Sequence, residues 1–300
     1  MKKFRKYSWY YFMILPGLIY FIVWHYIPMI GNIVAFKEVP PYAGIQGILS
    51  APWVGLKHFR QFVSSYYFWN ILLNSFLISF YKILYGFPAP IILALMLNEV
   101  NNSAFKKITQ TISYLPHFLS AVIIAGLLTN LLSTNGGIIN SIIQLTGHEP
   151  VAFLSEPKYF RSVLVASSVW QGVGWESIIY LAAIAGIDPG LYEAATLDGA
   201  TYFQRIRYIT FPSIMSVVSV MFVLKMGGIL STGWEQILLL YSPPVYKVAD
   251  VIDTYVYREG ILGMKYSYTT AVSLFKSVIS LIFIVGSNFF AKKMGQEGLW

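Results

Sequence analysis

The feature that most constrains this chain is a run of thirty residues, between Lys6 and Lys37, without a single Lys, Arg, Asp or Glu. A helix crosses the hydrocarbon core of a bilayer with about 20 apolar residues. Over the whole chain 56% of residues are hydrophobic and 11% are charged, whereas about 25% are charged in a typical soluble domain. So few charges cannot cover a soluble surface. The sequence therefore predicts an integral membrane protein and argues against water-soluble classes, disordered tails and soluble nucleic-acid binders.

Five further apolar segments are long enough to span a bilayer, so we expect an all-α, polytopic membrane protein with six transmembrane helices. The second segment contains Lys82 and Gly86–Pro90, which are tolerated in a span when neighbouring helices satisfy the backbone. The apolar segment Ile138–Leu145 is too short to span and is expected to lie at the membrane interface. The predicted spans lie near residues 10–33, 68–97, 108–132, 163–187, 213–230 and 268–290.

The distribution of Lys and Arg predicts the orientation. With the N-terminus in the cytoplasm, including Lys2, Lys3, Arg5 and Lys6, the cytoplasmic segments hold ten Lys or Arg in 56 residues and the external segments hold eight in 97. This bias has the direction of the positive-inside rule and places both termini in the cytoplasm. We expect the cytoplasmic N-terminus and first span at 1–36, an extracytoplasmic segment at 37–67, a five-span core at 68–290 and a cytoplasmic tail at 291–300.

Motifs for enzymatic chemistry are missing from the sequence. There is no GxxxxGK[ST] or GxGxxG phosphate loop and no GxSxG nucleophile motif. The four histidines are dispersed without an HExxH motif, and there is no cysteine, so no metal site and no cofactor site are predicted. We therefore expect no catalytic residue, and the remaining function classes are passage across the bilayer or anchoring.

The polar stretch 188–211, between the fourth and fifth predicted spans, is the most informative segment. Asp188 is expected to cap a helix that begins at Pro189 and carries Glu193 in its first turns. Gly199 is free to adopt a positive φ and allows a tight turn before a second short helix at 200–209. We expect Pro212 to open the fifth span. The stretch predicts a helix–turn–helix on the cytoplasmic face, although an ordinary connecting loop would satisfy the same pattern.

This stretch resembles the EAA signature of permease subunits of binding-protein-dependent ABC importers. The signature is EAA, three residues, Gly, nine residues and Ile-x-Leu-Pro. The matching residues are Glu193-Ala194-Ala195, Gly199 and Ile209-Thr210-Phe211-Pro212, with Phe211 as the one departure. Four further segments resemble the carbohydrate importers of this family, the last of them the oligo- and polysaccharide branch: Trp53–Phe59, Tyr180–Ile184, Asp188–Tyr192 and Asp250–Arg258.

The resemblance implies a coupling helix pair that sits in a groove of a separate cytoplasmic ATPase. The residues assigned to this coupling are Glu193, Ala194, Ala195, Asp198 and Gly199. The implied partners are a second homologous permease, two ATPase subunits that hold ATP and Mg²⁺, and an extracytoplasmic solute-binding protein. The implied location is a prokaryotic inner or plasma membrane.

Charged and amide side chains within the spans are the candidates for the substrate path, because charges at mid-bilayer usually face a cavity or a partner. Lys225 and Lys276 can pair with Glu176 or bind acidic sugars, and structural ion pairing or snorkelling is the alternative for each. For Lys82, structural ion pairing or snorkelling is the favoured interpretation. The Trp residues beside these groups can stack on sugars or anchor the chain at the interface. The predicted path residues are Trp170, Gln171, Trp175, Glu176, Lys225, Trp234, Glu235, Gln236 and Lys276.

A secondary transporter or channel that works without an ATPase is the alternative function. Secondary transporters need intramembrane carboxylates for their coupling ions, and Glu176 is the only acidic residue in the predicted spans. They also often contain paired broken helices in two halves, which the sequence does not predict. The first span has no polar residue in its middle beyond His25, so we expect it to lie outside the path.

Overall fold

The computed structural model describes residues 7–296 and 298–300; Lys2, Lys3, Arg5 and Lys6 of the predicted cytoplasmic N-terminus lie outside them. Within the described residues the backbone forms helices and turns, and β pairing is limited to an isolated antiparallel bridge between Lys37 and Trp53. The all-α fold is confirmed. In chain order the helices are α1 Trp9–Phe36, α2 Ile45–Ser50, α3 Lys57–Val63, α4 Phe68–Asn98, α5 Ser103–Phe118, α6 Ala121–Leu131, α7 Ile138–Leu145, α8 Pro157–Ala185, α9 Pro189–Leu197, α10 Tyr202–Ser213, α11 Met215–Gly227, α12 Trp234–Leu240, α13 Tyr246–Ala249, α14 Ile252–Val256 and α15 Tyr266–Lys293.

Three of these helices, α1, α4 and α15, are each long and apolar enough to cross a bilayer. Three bent pairs meet the same criterion together: α5 with α6 at 104°, α8 with α9 at 71°, and α10 with α11 at 60°. By length and composition, the described residues therefore contain three helices that can each span a bilayer, or up to six spans if each bent pair is one span. The second predicted span keeps its course through Pro88 and Pro90, since Phe87 remains helical with φ −79° and ψ −45°.

The sequence predicts the third span as one helix near 108–132, and the structure differs from this prediction. The structure breaks this span after α5, whose last four residues, Leu115–Phe118, form a 3₁₀ turn that contains Pro116. Ser120 then adopts an extended backbone and caps α6, accepting a hydrogen bond from the Ile123 amide at 3.4 Å. Proline lacks an amide hydrogen, and a Ser cap starts a new helix. The prediction of an unbroken third span is therefore wrong.

The helices around the polar stretch also differ from the predictions at their ends. The helix α8 begins at Pro157, six residues before the predicted start of the fourth span, because proline suits the first turn of a helix. Pro212 lies near the end of α10 and does not open the fifth span. That span starts instead at Met215, after the 60° bend.

Contacts divide the described residues into two compact units. One unit comprises Tyr67–Tyr255 and Lys276–Trp300, and the other comprises Val256–Phe275 and the residues up to Tyr66. In the second unit Lys37 is buried and its ammonium donates to the Ile48 and Leu49 carbonyls, at 3.0 and 2.7 Å. These contacts satisfy carbonyls at the end of α2. The side chains of α1 are exposed within this chain over residues 9–31, whereas Ala35 in its last turn is buried.

The core of the larger unit follows α8 along its length. One cluster surrounds Phe160 and Leu164 near the start of α8, and another surrounds Tyr180 and Ile184 near its end. Between them Gly174 lies so close to α5 that an added Cβ would overlap the Ser113 carbonyl. In a membrane, helices associate through such close packing, since lipid tails are as apolar as the side chains. The packing fixes the middle of α8, close to Glu176.

The short helix α7 buries a polar side chain and exposes apolar ones. Asn140 is buried; its amide donates to the Leu132, Ser133 and Val151 carbonyls at 3.0–3.1 Å, and its oxygen accepts from the Val151 amide at 2.7 Å. Ile142 and Leu145 are exposed. The interfacial position of α7 remains a prediction, and an apolar outer face is what such a position requires.

Candidate functional site

The predicted helix–turn–helix at 188–211 is present. Asp188 caps α9 by accepting a hydrogen bond from the Gly190 amide at 2.9 Å, and Pro189 occupies the first helical position. Gly199 has a φ of +76° and turns the chain after α9. Thr201 and Gln204 then form a capping box at the start of α10. The helix start and the turn glycine predicted from the sequence are both confirmed.

A side-chain contact holds the two short helices together. The Tyr192 hydroxyl of α9 hydrogen-bonds the Thr210 hydroxyl of α10 at 2.9 Å. The outer surface of α9 is open: Glu193 and Ala194 are exposed, and Leu197 is 90% exposed. A concavity of about 270 Å³ lies beside them, lined by Ala195, Asp198, Gly199, Ala200, Gln204, Arg205, Tyr208 and Ile209. Three of the five predicted coupling residues, Ala195, Asp198 and Gly199, line this concavity, and the other two are exposed on α9.

Glu176 and Lys225 form an ion pair between α8 and α11. The Lys225 ammonium donates to both carboxylate oxygens of Glu176, at 2.5 and 2.7 Å. Both residues line a cavity of about 430 Å³. Of the two lysines that the sequence offered as partners of Glu176, the structure selects Lys225.

Lys276 pairs instead with Asp253 of α14, and its ammonium donates to the two carboxylate oxygens at 2.6 and 2.7 Å. The pairing of Lys276 with Glu176, one of the two possibilities considered, does not occur. This second ion pair lines another cavity, of about 630 Å³. Five predicted path residues line that cavity: Gln171, Trp234, Glu235, Gln236 and Lys276.

The amides of the path also hold helices together. The Gln171 amide donates to the Leu119 carbonyl at 3.1 Å, and the buried Gln236 amide donates to the Ser167 hydroxyl at 2.8 Å. Trp175 stacks on His117 with 4.7 Å between ring centroids and an interplanar angle of 4°. Trp170 and Trp175 line neither cavity, and their side chains are 46% and 43% exposed. The structure therefore gathers seven of the nine predicted path residues around the two cavities.

Two residues of this region were missed by sequence reasoning. Lys82 lines both cavities, and its ammonium donates to the Thr232 carbonyl at 2.8 Å. Its place in the middle of a predicted span is a signal, but structural ion pairing or snorkelling is the interpretation that the sequence favours. Asp253 lies in the Asp250–Arg258 segment, which is predicted to lie outside the spans, so the sequence does not mark it as a path residue. Over residues 7–296 and 298–300, no group of three or more His, Asp or Glu residues can hold a metal ion.

Comparison with known proteins finds relatives that match nearly the whole chain. Protein LplB of Bacillus subtilis (strain 168) is 41% identical over 300 residues, covering 100% of this chain and 93% of LplB. The polygalacturonan/rhamnogalacturonan transport system permease protein YteP of the same organism is 43% identical over 290 residues, covering 97% of this chain and 89% of YteP.

Solved structures of an alginate importer have the same fold. A chain of a bacterial ABC transporter involved in the import of the acidic polysaccharide alginate matches with a TM-score of 0.90 and 40% identity, over 98% of this chain and 99% of that chain. The same transporter type in complex with an alginate pentasaccharide-bound periplasmic protein matches equally, at 0.90 and 40%, over 99% of each chain. The family model of the binding-protein-dependent transport system inner membrane component matches residues 86–296. The chain therefore belongs to this family, the multi-pass membrane permease subunits of ABC importers.

Proposed function

We propose that this chain forms part of the path by which an ATP-driven importer carries an oligosaccharide into the cell. Two kinds of similarity support a sugar substrate. YteP is named for polygalacturonan and rhamnogalacturonan, and the structural relative imports alginate. The likeness to both extends over nearly the whole chain, so it includes the helices that line the two cavities.

The observation that carries the coupling role is the exposed surface of α9. Glu193 offers a carboxylate and Leu197 offers an almost fully exposed apolar side chain on a short helix that Gly199 turns back toward α10. Single exposed apolar residues are common on protein surfaces, so the docking role rests on the EAA signature that this exposed helix carries. We assign this surface to a separate ATPase, whose subunits hold ATP and Mg²⁺, because the sequence contains no phosphate loop.

The substrate path in this proposal consists of the two cavities and their ion pairs. Gln171, Glu176, Lys225, Lys276 and the Trp234–Gln236 segment contribute to it from this chain. The exposed indoles of Trp170 and Trp175 belong to the part of the path that a second, similar permease completes. A solute-binding protein delivers the sugar from outside, and both termini lie in the cytoplasm.

Uptake by reconstituted vesicles tests the function. Vesicles that contain this chain, a second permease, two ATPase subunits and the solute-binding protein should accumulate labelled oligosaccharide only when ATP is present. One argument against a secondary transporter was that the sequence predicts no broken helices, and the break between α5 and α6 removes this argument. ATP dependence is therefore the decisive measurement. Uptake by this chain alone, without an ATPase, would refute the importer proposal.

Variants of the α9 surface test the coupling role. Glu193→Lys reverses a charge and Gly199→Asp places a carboxylate at the turn, so both should reduce co-purification of the ATPase and its stimulated hydrolysis. Glu193→Gln and Gly199→Asn are matched controls of similar size without the new charge, and Asn tolerates a positive φ. We expect smaller losses in the controls. Unchanged docking in both charged variants would refute this assignment.

A further inference from the structure

Lys82 occupies the junction of the two cavities. The cavity of Glu176 and the cavity of Lys276 share four lining residues, which are Lys82, Ser168, Ser231 and Gly233. The Lys82 ammonium reaches from α4 to the Thr232 carbonyl at 2.8 Å. An added Cβ at Gly233 would lie 3.3 Å from the same ammonium, and Gly233 has a φ of +69°. Glycine therefore lets the lysine approach the turn closely, where its side chain lies between the two cavities.

Lys82 differs in its bonding partner from the other two lysines that line the cavities. Lys225 is neutralised by Glu176 and Lys276 by Asp253. Among the described residues that line the two cavities, Lys82 is the one lysine without a carboxylate within 4.0 Å. Its hydrogen-bond partner is a neutral backbone carbonyl. A cation held within a span without a counter-ion indicates a functional role.

The chemistry of this contact favours exchange with an anionic ligand. Hydrogen bonds from an ammonium to a carboxylate are shorter and stronger than those to neutral acceptors. A ligand carboxylate in either cavity would therefore compete well with the Thr232 carbonyl. Lys225 and Lys276 can bind such a ligand only by breaking an existing ion pair. The exposed carboxylate of Glu235 lines the second cavity and would repel a ligand carboxylate. The attraction for the ligand must therefore come from Lys82.

We propose that Lys82 is the specificity-determining residue of the path, and that it recognises the carboxylate of an acidic oligosaccharide as the sugar passes between the cavities. The carboxylate replaces the Thr232 carbonyl as the partner of the ammonium, and the carbonyl takes the ammonium back when the sugar leaves. This inference rests on the proposed function and adds the charge class of the substrate.

Binding to the purified complex tests the assignment. The complex of both permeases and the ATPase, without the solute-binding protein, is titrated in nanodiscs with oligogalacturonate and with its carboxyl-reduced, neutral counterpart. Lys82→Gln removes the charge while its amide can still donate to Thr232, and Lys82→Arg keeps the charge. We expect Lys82→Gln to weaken binding of the acidic sugar by about tenfold or more and to leave the neutral sugar unchanged. Lys82→Arg should retain the preference for the acidic sugar.

The controls separate this inference from the proposed function. Lys158→Gln removes an exposed lysine that lines neither cavity and should leave both affinities unchanged. Equal effects of Lys82→Gln on the two sugars, or a wild-type complex that does not prefer the acidic sugar, would overturn the role of Lys82. ATP-dependent uptake by the wild-type complex, supplied with the solute-binding protein, is measured in parallel. Absence of this uptake would contradict the importer function. Uptake by the wild-type complex, together with an unchanged preference of Lys82→Gln for the acidic sugar, would contradict only the role of Lys82.

Discussion

At the scale of single residues, Glu176 and Lys225 illustrate how a charge is retained within a span. The two side chains are 35% and 33% exposed, and they neutralise each other through two short hydrogen bonds. Removal of one member leaves the other charge without its counter-ion, which costs more free energy than removal of both. The pair therefore contributes to the relative position of α8 and α11 as well as to the path.

This asymmetry gives a stability prediction. Glu176→Gln should lower the thermal midpoint of the purified complex by an amount that corresponds to about 1–3 kcal/mol, because the Lys225 ammonium loses its carboxylate. The double variant Glu176→Gln/Lys225→Met removes both charges and should regain most of that loss. Thermal unfolding followed by intrinsic fluorescence in one detergent compares the three proteins. A double variant less stable than the single one would contradict the prediction.

The charged pairs show what the sequence alone could not predict about single residues. An acidic residue in a span predicts a basic partner, and Glu176 indeed has one. The choice between Lys225 and Lys276 depends on which helix packs against α8, and the chosen partner is 49 positions away. Lys276 has its own partner in α14, a helix of five residues that is too short to give a periodic pattern.

At the scale of elements, the contact between α5 and α8 depends on one glycine. Gly174 is buried against the Ser113 carbonyl, and a backbone at this distance leaves no room for a methyl group. We predict that Gly174→Ala destabilises the protein by about 3 kcal/mol or more, since the two helices must separate. Gly126→Ala is the matched control, because an added Cβ there meets nothing within 4 Å. The measurements are yield and thermal midpoint, and equal stability of the two variants would show that the contact is not needed.

Helix breaks were harder to predict than helices. Long apolar segments identified the approximate positions of the spans, because the bilayer sets their length. Proline alone does not predict where a span bends: Pro88 and Pro90 lie in the continuous helix α4, whereas Pro116 precedes a break of 104°. The distinguishing signal was Ser120, a capping residue directly before an apolar helix. The break depends on the proline and the cap together.

At the scale of the whole molecule, the orientation in the membrane gives the next prediction. The sequence contains no cysteine, so a single introduced cysteine can be labelled without background. Glu149→Cys should react with a membrane-impermeant maleimide on intact cells, because residues 133–161 are predicted to lie outside. Thr201→Cys, in the segment between α9 and α10, should react only after permeabilisation. Reaction of Thr201→Cys on intact cells would reverse the proposed topology.

The length of α8 as one continuous helix has a mechanical consequence. With 29 residues the helix is a rod of roughly 43 Å, and the chain leaves its end at 71° to enter α9. The Glu176–Lys225 pair fastens this rod to α11 near its middle. A rotation of about 10° about this pair would move the Pro157 end by roughly 5 Å if the rod stayed rigid. A small displacement of the short helix would thus become a larger displacement at the other end of α8, and a softer joint within α8 would absorb it before it reached the far side of the membrane.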